Sequence, residues 1–350
     1  MTKSFPLTPI QEAMFGASHL AARPWLYVEQ VVVDMPGERL DAQAMQAAWR
    51  DLAMVLPVLR SRIVAEDGQL PVQQVSADVD VPGSVEDFAA LSADKAEAAF
   101  DAFLAKDRQR GIDATAAPGF RVTLFDMGAA GSKLVWTFPH TLLDGRSFAP
   151  LLAEAFERYE AICAGTADPV ELTHATPRFA QHCTTLGEMA HAEGTQHFAT
   201  ALKGWEGGEG LVRYGVEPGR KRFVDRRLTA EETAAIARIA QRTGGAVSTV
   251  VMLAWGVVTA RLAGRDDTVF GNTLNGRNLI PGAADAPGCF IVTVPIRLHL
   301  SRDLTLGTAL KRMRANQIAL RPFEQTPLAS IRQHLDVPPG RAIYATLVMF

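Results

Sequence analysis

The chain has 350 residues, 48% of them hydrophobic and 21% charged, with 35 basic against 38 acidic side chains and a net charge of −3. That balance describes a folded soluble protein with room for two domains of ordinary size and excludes a disordered chain. It offers no basic surface for nucleic acid or for an acidic membrane. Cys163, Cys183 and Cys289 form no close pair, and Met1 to Pro6 lacks the apolar run of a secretory leader. The reading is a cytoplasmic protein whose reduced thiols serve as small core residues. The richest apolar stretch, Val247 to Ala260, is too short to span a membrane and runs into Arg261.

Thr8 and Pro9 open a helix that reaches Phe15, as N-cap and first helical residue. Leu26 to Met35 has the pattern of a strand, and Leu40 to Val55 that of an amphipathic helix carrying Met45, Trp49, Leu52 and Val55. Ile63 to Val75 reads as a hairpin turning at Glu66-Asp67-Gly68. Val85 to Arg110, rich in Ala, Asp and Lys, reads as two short surface helices. Phe120 to Met127 alternates and should pair beside Ser132 to Phe138, where Leu134, Trp136 and Phe138 alternate with smaller or more polar neighbours. Helical spacing follows in Phe148, Leu151, Leu152, Ala155 and Phe156.

Between that strand and that helix lies Phe138-Pro139-His140-Thr141-Leu142-Leu143-Asp144-Gly145. One imidazole and one carboxylate stand four residues apart at an abrupt junction, where a strand end can project a side chain into a cleft. On residue types alone three readings stay open. His140 and Asp144 are ordinary polar residues; or they bind a metal, which needs further ligands that no HExxH or paired CxxC supplies; or they serve a nucleophile, for which no GxSxG is present. Ser147 reads as a cap or first-turn residue.

Gly165, Pro169 and Pro177 interrupt the helical pattern and mark a boundary between Ala164 and Pro177. Arg178 to Gly208 is helical in tendency; His182, His191 and His197 in it share no compact face and read as solvent-facing. Arg222 to Leu228 reads as a strand. Thr229 caps a helix with Glu231 and Glu232 in its first turn, and Gly244 and Gly245 stop it. Ser248 to Leu262 is a mostly apolar helix, buried on most sides. Gly288 to Arg297 reads as a buried strand with Pro295 near its end, Ala309 to Leu320 as an amphipathic helix, and Arg341 to Phe350 as an apolar terminal strand.

His140, Asp144 and Gly145 resemble the HHxxxDG signature of the condensation-domain superfamily, the CoA- and carrier-protein-dependent acyltransferases that include the condensation domains of nonribosomal peptide synthetases. Pro139 stands where the signature has its first His. The resemblance recurs in the family's order along nearly the whole chain. It includes Leu7-Thr8-Pro9-Ile10-Gln11, the pair Arg60 and Arg62, Asn275-Gly276-Arg277 against the family's Ser-Gly-Arg segment, Gly288 to Arg297, Arg321 to Ile331 and Arg341 to Phe350. The fold it implies is α/β (α+β), two chloramphenicol-acetyltransferase-like lobes in a V-shaped pseudo-dimer. The expected organisation is a first lobe over 1–165, a helical connector over 166–210 and a second lobe over 211–350. Family members continue beyond the point matched by Phe350, so the second lobe is expected to be truncated or shortened.

The resemblance implies that a donor acyl group arrives as a thioester on the phosphopantetheine arm of an acyl or peptidyl carrier protein, or on CoA, and that an amine or hydroxyl acceptor, here an amine, enters from the opposite mouth of a tunnel. His140 would take the proton or position the nucleophile, and Gly145 would let the backbone approach the reacting centre. Asp144 and Arg277 would form a structural ion pair across the lobe interface. Pro139 supplies neither a ring nitrogen nor a backbone N–H, yet biases Phe138 to the extended conformation of a strand end. No metal, no redox cofactor, no nucleic acid and no membrane is implied. Two other readings are a related acyltransferase forming esters or amides from CoA or carrier thioesters, and a non-catalytic carrier-protein-binding scaffold.

Overall fold

The computed structural model describes residues 4–77, 79–172, 177–208 and 224–350. They fall into two compact units, Met1–Met189 with Arg277–Ile291, and Ala190–Gly276 with Val292–Phe350. The division passes through the stretch expected as a connector and assigns Arg277–Ile291 to the first unit.

In chain order the first unit carries β1 (Ser4–Pro6), α1 (Pro9–Phe15), β2 (Val28–Pro36), α2 (Ala42–Val55), β3 (Ser61–Val64), β4 (Val72–Val75), β5 (Gly83–Asp87), α3 (Ala93–Arg110), β6 (Arg121–Asp126), β7 (Gly131–Pro139), α4 (Gly145–Cys163) and α5 (Arg178–Glu188). The caps explain the helix starts. Thr8 and Gln11 form a capping box on α1 with Pro9 in the first turn, Asp41 accepts from Ala44 N at the start of α2, and Asp144 accepts from Arg146 N at the start of α4.

Two sheets organise this unit, a small one ordered β1-β4-β3 and a larger one ordered β2-β7-β6-β5. Strand β7 is interior to the larger sheet and is covered on both faces. Leu134, Trp136 and Phe138 pack with Trp49 and Leu151 on one side, while Val135 meets Phe125 and the α3 residues Ala96 and Phe100 on the other. The Trp136 ring packs at a tilt against Trp49 and Phe138, with centroids 4.7 Å and 4.5 Å away. The expectation of two short surface helices over Val85 to Arg110 is corrected. Residues Gly83–Asp87 form an edge strand parallel to β6, and a single 18-residue helix follows. The physical reason is Phe100, whose ring meets Phe125 edge-on at 4.9 Å and ties the helix to the sheet.

Pro139 ends β7 without costing the sheet a hydrogen bond. His140 N–H donates to Tyr27 O at 2.7 Å, which makes the adjacent Val28–Pro139 pair the non-hydrogen-bonded one. The missing N–H therefore faces the β6 side, and there β6 begins at Arg121, opposite Thr137.

The second unit carries α6 (Ala192–Ala201), α7 (Ala230–Arg242), α8 (Val247–Leu262), β8 (Asp267–Leu274), β9 (Val292–His299), α9 (Leu306–Leu320), α10 (Leu328–Gln333) and β10 (Leu347–Met349). Its sheet is ordered β10-β8-β9, with a core that includes Leu253, Phe270, Val294, Ile296 and Met313. Pro295 lies inside β9, which is an edge strand among the described residues, where proline is tolerated. The strand expected over Arg222 to Leu228 is corrected in part. Residues 222 and 223 lie outside the described residues, and 224–228 have no strand structure, with Val224 94% exposed and followed by Asp225, Arg226 and Arg227. Strand structure in the last segment is confined to Leu347–Met349. Among the described residues no single helix is long and apolar enough to cross a membrane.

Because Trp136 is fully buried against Trp49 and Phe138, truncating it leaves a cavity that the rigid sheet cannot close. Trp136→Ala should lower the unfolding free energy by about 3–5 kcal/mol, read from denaturant titration. A loss below about 1 kcal/mol would show that the aromatic cluster is not what holds α2 to the sheet.

Candidate active site

The histidine loop leaves β7 under tight backbone control. Beyond the His140 bond to Tyr27, Leu142 N–H donates to Pro139 O at 2.9 Å and closes a turn. Tyr27, the residue whose carbonyl holds His140, has φ +59, a conformation costly for a bulky side chain and often found where geometry serves a site. The His140 ring is half-buried. Its Nδ1 is buried with no hydrogen-bond partner among the described residues.

Asp144 is fully buried, and its carboxylate is taken up by donors. Arg277 meets it with both terminal nitrogens, Nη1 to Oδ2 and Nη2 to Oδ1, each at 2.7 Å. Phe290 N–H donates to Oδ2 at 3.0 Å, Ser147 Oγ to Oδ1 at 3.1 Å, and Arg146 N–H to Oδ1 at 3.2 Å. A fork-to-fork pair with these added bonds is the geometry that offsets the desolvation of two buried charges. Arg277 also lies over the Phe290 ring, 4.5 Å from its centroid. Asp144 N–H completes the link by donating to Gly288 O at 3.1 Å.

The pair was expected across a lobe interface, and here the structure corrects the expectation. Arg277 and Phe290 both belong to the same compact unit as Asp144, so the ion pair is internal to that unit. Ser147, read from sequence as a cap or first-turn residue, joins the network: its Oγ faces Gly288 O and Gly288 N, each at 3.1 Å. Nothing in the sequence near Ser147 announces that role, because its partner is 141 positions away. Gly145 is the first residue of α4 and is exposed. A Cβ placed on it would meet no atom within 4 Å, so its side of the loop is open.

His182, expected to face solvent, is instead fully buried on α5. Phe179, Ala180, His182, Cys183 and Leu186 make one buried stripe of that helix. The His182 ring packs against Phe290, with centroids 4.9 Å apart, and neither ring nitrogen has a hydrogen-bond partner among the described residues. Burial, and then the charge of Arg277, push its pKa down to about 4. His191 and His197 are half-buried, and His197 stacks on Phe323 at 4.8 Å. Burial pushes the Cys183 thiol up to about 12 and holds that of Cys289 well above its ordinary value, with Asp144 adding to the effect. Both are inert core thiols. Cys163, expected in the core with them, is exposed at the last residue of α4. Arg60, of the pair matched by resemblance, is buried and donates to Ala53 O at 2.8 Å.

Two outcomes follow from this electrostatic arrangement. Removing the carboxylate strands a buried guanidinium, so Asp144→Ala should destabilise the protein by about 3–5 kcal/mol; a melting temperature equal to that of the parent would show that the pair contributes nothing. For His182, the unfolded ring titrates near 6.5 and the folded one near 4. Above the first value neither state is protonated there, and the stability is fully present. As pH falls from 6.5 towards 4, the unfolded chain takes up a proton that the fold refuses, and stability drops by on the order of 3 kcal/mol. Melting curves between pH 7.5 and 4.5 should therefore fall more steeply for the parent than for His182→Phe, and parallel curves would contradict the assignment.

A condensation-domain family model matches residues 1–342. Chondramide synthase cmdD of Chondromyces crocatus is 31% identical over 333 residues, covering 93% of this chain and 8% of that protein. A component of the linear gramicidin synthase of Brevibacillus parabrevis is 29% identical over 366 aligned residues, covering 100% of this chain and 5% of that protein. The chain thus spans less than a tenth of the length of these relatives. Among solved structures, a four-domain nonribosomal peptide synthetase, holo-AB3403, aligns with a TM-score of 0.83 at 16% identity, over 100% of this chain and 27% of the other. The first condensation domain of the calcium-dependent antibiotic synthetase aligns at 0.77 with 18% identity, over 99% of this chain and 80% of that one. The fold is therefore the mixed α/β fold of condensation domains, related to chloramphenicol acetyltransferase, and the chain belongs to the condensation-domain family.

Proposed function

We propose that this domain joins a carrier-borne acyl or aminoacyl thioester to an amine acceptor, forming an amide bond in nonribosomal peptide synthesis. The observation that carries the reading is the division of labour in the loop. The Asp144 carboxylate is consumed by Arg277, Phe290, Ser147 and Arg146, which leaves His140, at the end of an interior strand, as the loop's group for proton chemistry.

In the reaction the acceptor nitrogen attacks the thioester carbonyl carbon, a C–N bond forms, the C–S bond breaks, and the proton lost by nitrogen ends on the departing thiol. With Nδ1 buried, His140 would exchange that proton through Nε2, as base towards the amine and acid towards the thiolate. Gly145 keeps the adjacent space clear for a thioester arm. Holding both reactants beside one imidazole replaces a bimolecular encounter with an oriented one. Acyl and peptidyl carrier proteins are the partners, with phosphopantetheine as the arm of the substrate and not as a resident cofactor. Matching only a small share of long peptide synthases supports a role as one domain in a larger assembly. The two compact units would then be the two acyltransferase-like lobes.

The test offers acyl-loaded carrier protein and a panel of amines and alcohols, with products followed by intact mass. Amide product should appear with the parent and fall by about 10²–10⁴ in rate for His140→Ala at an unchanged melting temperature. Gly145→Ala should fold at least as well, since alanine favours a helix start over glycine, and yet turn over more slowly because its methyl enters the cleared space. Ester product alone would reassign the acceptor to alcohols. Carrier binding with no transfer across the panel would sink the catalytic reading.

A further inference from the structure

Gln11 is fully buried on α1, and every hydrogen-bonding position of its amide is filled. Its Oε1 accepts from Thr8 N–H at 2.9 Å and from Gln73 Nε2 at 3.1 Å. Its Nε2 donates to Gln73 Oε1 at 3.1 Å and to Thr141 O at 2.7 Å. Two donors and two acceptors are all that a carboxamide has.

A capping box needs less than this. The box is served by the side-chain oxygen at the third helical position, where Glu and Gln are interchangeable. The amide nitrogen is therefore surplus to the cap, and it points at the residue after His140. On the other side of His140, the backbone N–H is held by Tyr27 O at 2.7 Å. The stretch from His140 N to Thr141 O is thus gripped at both ends by segments from elsewhere in the chain, and one grip is a side chain that mutation can remove. Gln73, on β4, locks the Gln11 amide in place and is itself tied to Pro6 O at 3.2 Å.

We propose that Gln11 is a positioning residue for His140: its amide nitrogen, held by Gln73, fixes the Thr141 carbonyl and with it the direction of the His140 ring. The proposal rests on the assignment of His140 as the proton carrier. Glutamate at the same position would keep the cap, but would face Thr141 O and Gln73 Oε1 with oxygen instead of N–H and push the loop away.

The experiment compares Gln11→Met, which removes both N–H groups at similar volume, with Thr8→Ala, which removes the other half of the capping box and leaves the Thr141 contact alone. Both lose stability, and only the first should lose positioning. With acyl-loaded carrier and the best amine, Gln11→Met should lower kcat by about 10- to 100-fold with KM within about twofold, while Thr8→Ala keeps kcat. A second readout uses no substrate. In histidine-labelled protein the His140 ring resonances, identified by their loss in His140→Gln, should move in Gln11→Met and stay in place in Thr8→Ala. If Gln11→Met does not fold, Gln11→Glu, which retains the cap, takes its place in both arms. Unmoved His140 resonances in a folded Gln11 variant overturn the proposal, as does equal loss of kcat in the Gln11 and Thr8 variants. If the parent shows no acyl transfer, the proposed activity fails on its own account, and the ring resonances alone decide the role of Gln11.

Discussion

The buried pair of Asp144 and Arg277 is the interaction on which the rest of this site depends. Each charge alone would be expensive away from water, and each is placed so that the other, together with neutral donors, replaces the lost hydration. The partners are 133 positions apart, so the pair ties the turn after β7 to the segment between β8 and β9. That segment, Arg277–Ile291, returns to the first unit, brings Phe290 N–H and Gly288 O with it, and so determines where Asp144 and its backbone sit. Once Asp144 is fixed as the N-cap of α4, few conformations remain for the four residues back to His140.

The proline before His140 looks from sequence like the loss of a functional group. In the sheet it is well accommodated. Antiparallel strands send alternate N–H groups to opposite neighbours, and Pro139 occupies a position whose N–H would point past the start of β6. The ladder to β2 continues across it through His140. Whatever a second imidazole would add to chemistry, the strand end that presents His140 is built without it.

Much of the scaffold could be read from local chemistry. The helix starts at Thr8 and Thr229 come with their capping boxes, and β7 follows from alternation of Leu134, Trp136 and Phe138. Other features depend on contacts that local sequence does not contain. The single helix over Ala93–Arg110 and the strand before it are stabilised by β6 and Phe125, so an Ala- and Lys-rich segment looked like surface. His182 read as polar and exposed because its neighbours Phe290 and Arg277 come from about a hundred residues later. The roles of Asp144 and Arg277 entered only through resemblance; spacing alone left Asp144 open to metal binding or nucleophile activation. Gln11 was hidden differently, since its cap function is a sufficient local explanation and conceals the bond to Thr141.

The surroundings of the ion pair show how charge is rationed inside the fold. His182, Cys183 and Cys289 all lie in this buried region, and for each the neutral form is favoured by burial. A second positive charge on His182 would stand against that of Arg277, and a thiolate at Cys289 would compete with Asp144 for the same guanidinium. Keeping all three neutral leaves one cation matched to one anion, the condition under which a buried pair is stable. It also fits the separation of roles proposed for the loop. A carboxylate that must remain ionised to hold Arg277 is a poor proton carrier, because protonating it would undo the anchor in the middle of the reaction. In the proposed reaction the imidazole four residues earlier, which contributes no hydrogen bond to that pair, would carry the proton while the loop that aims it stays still.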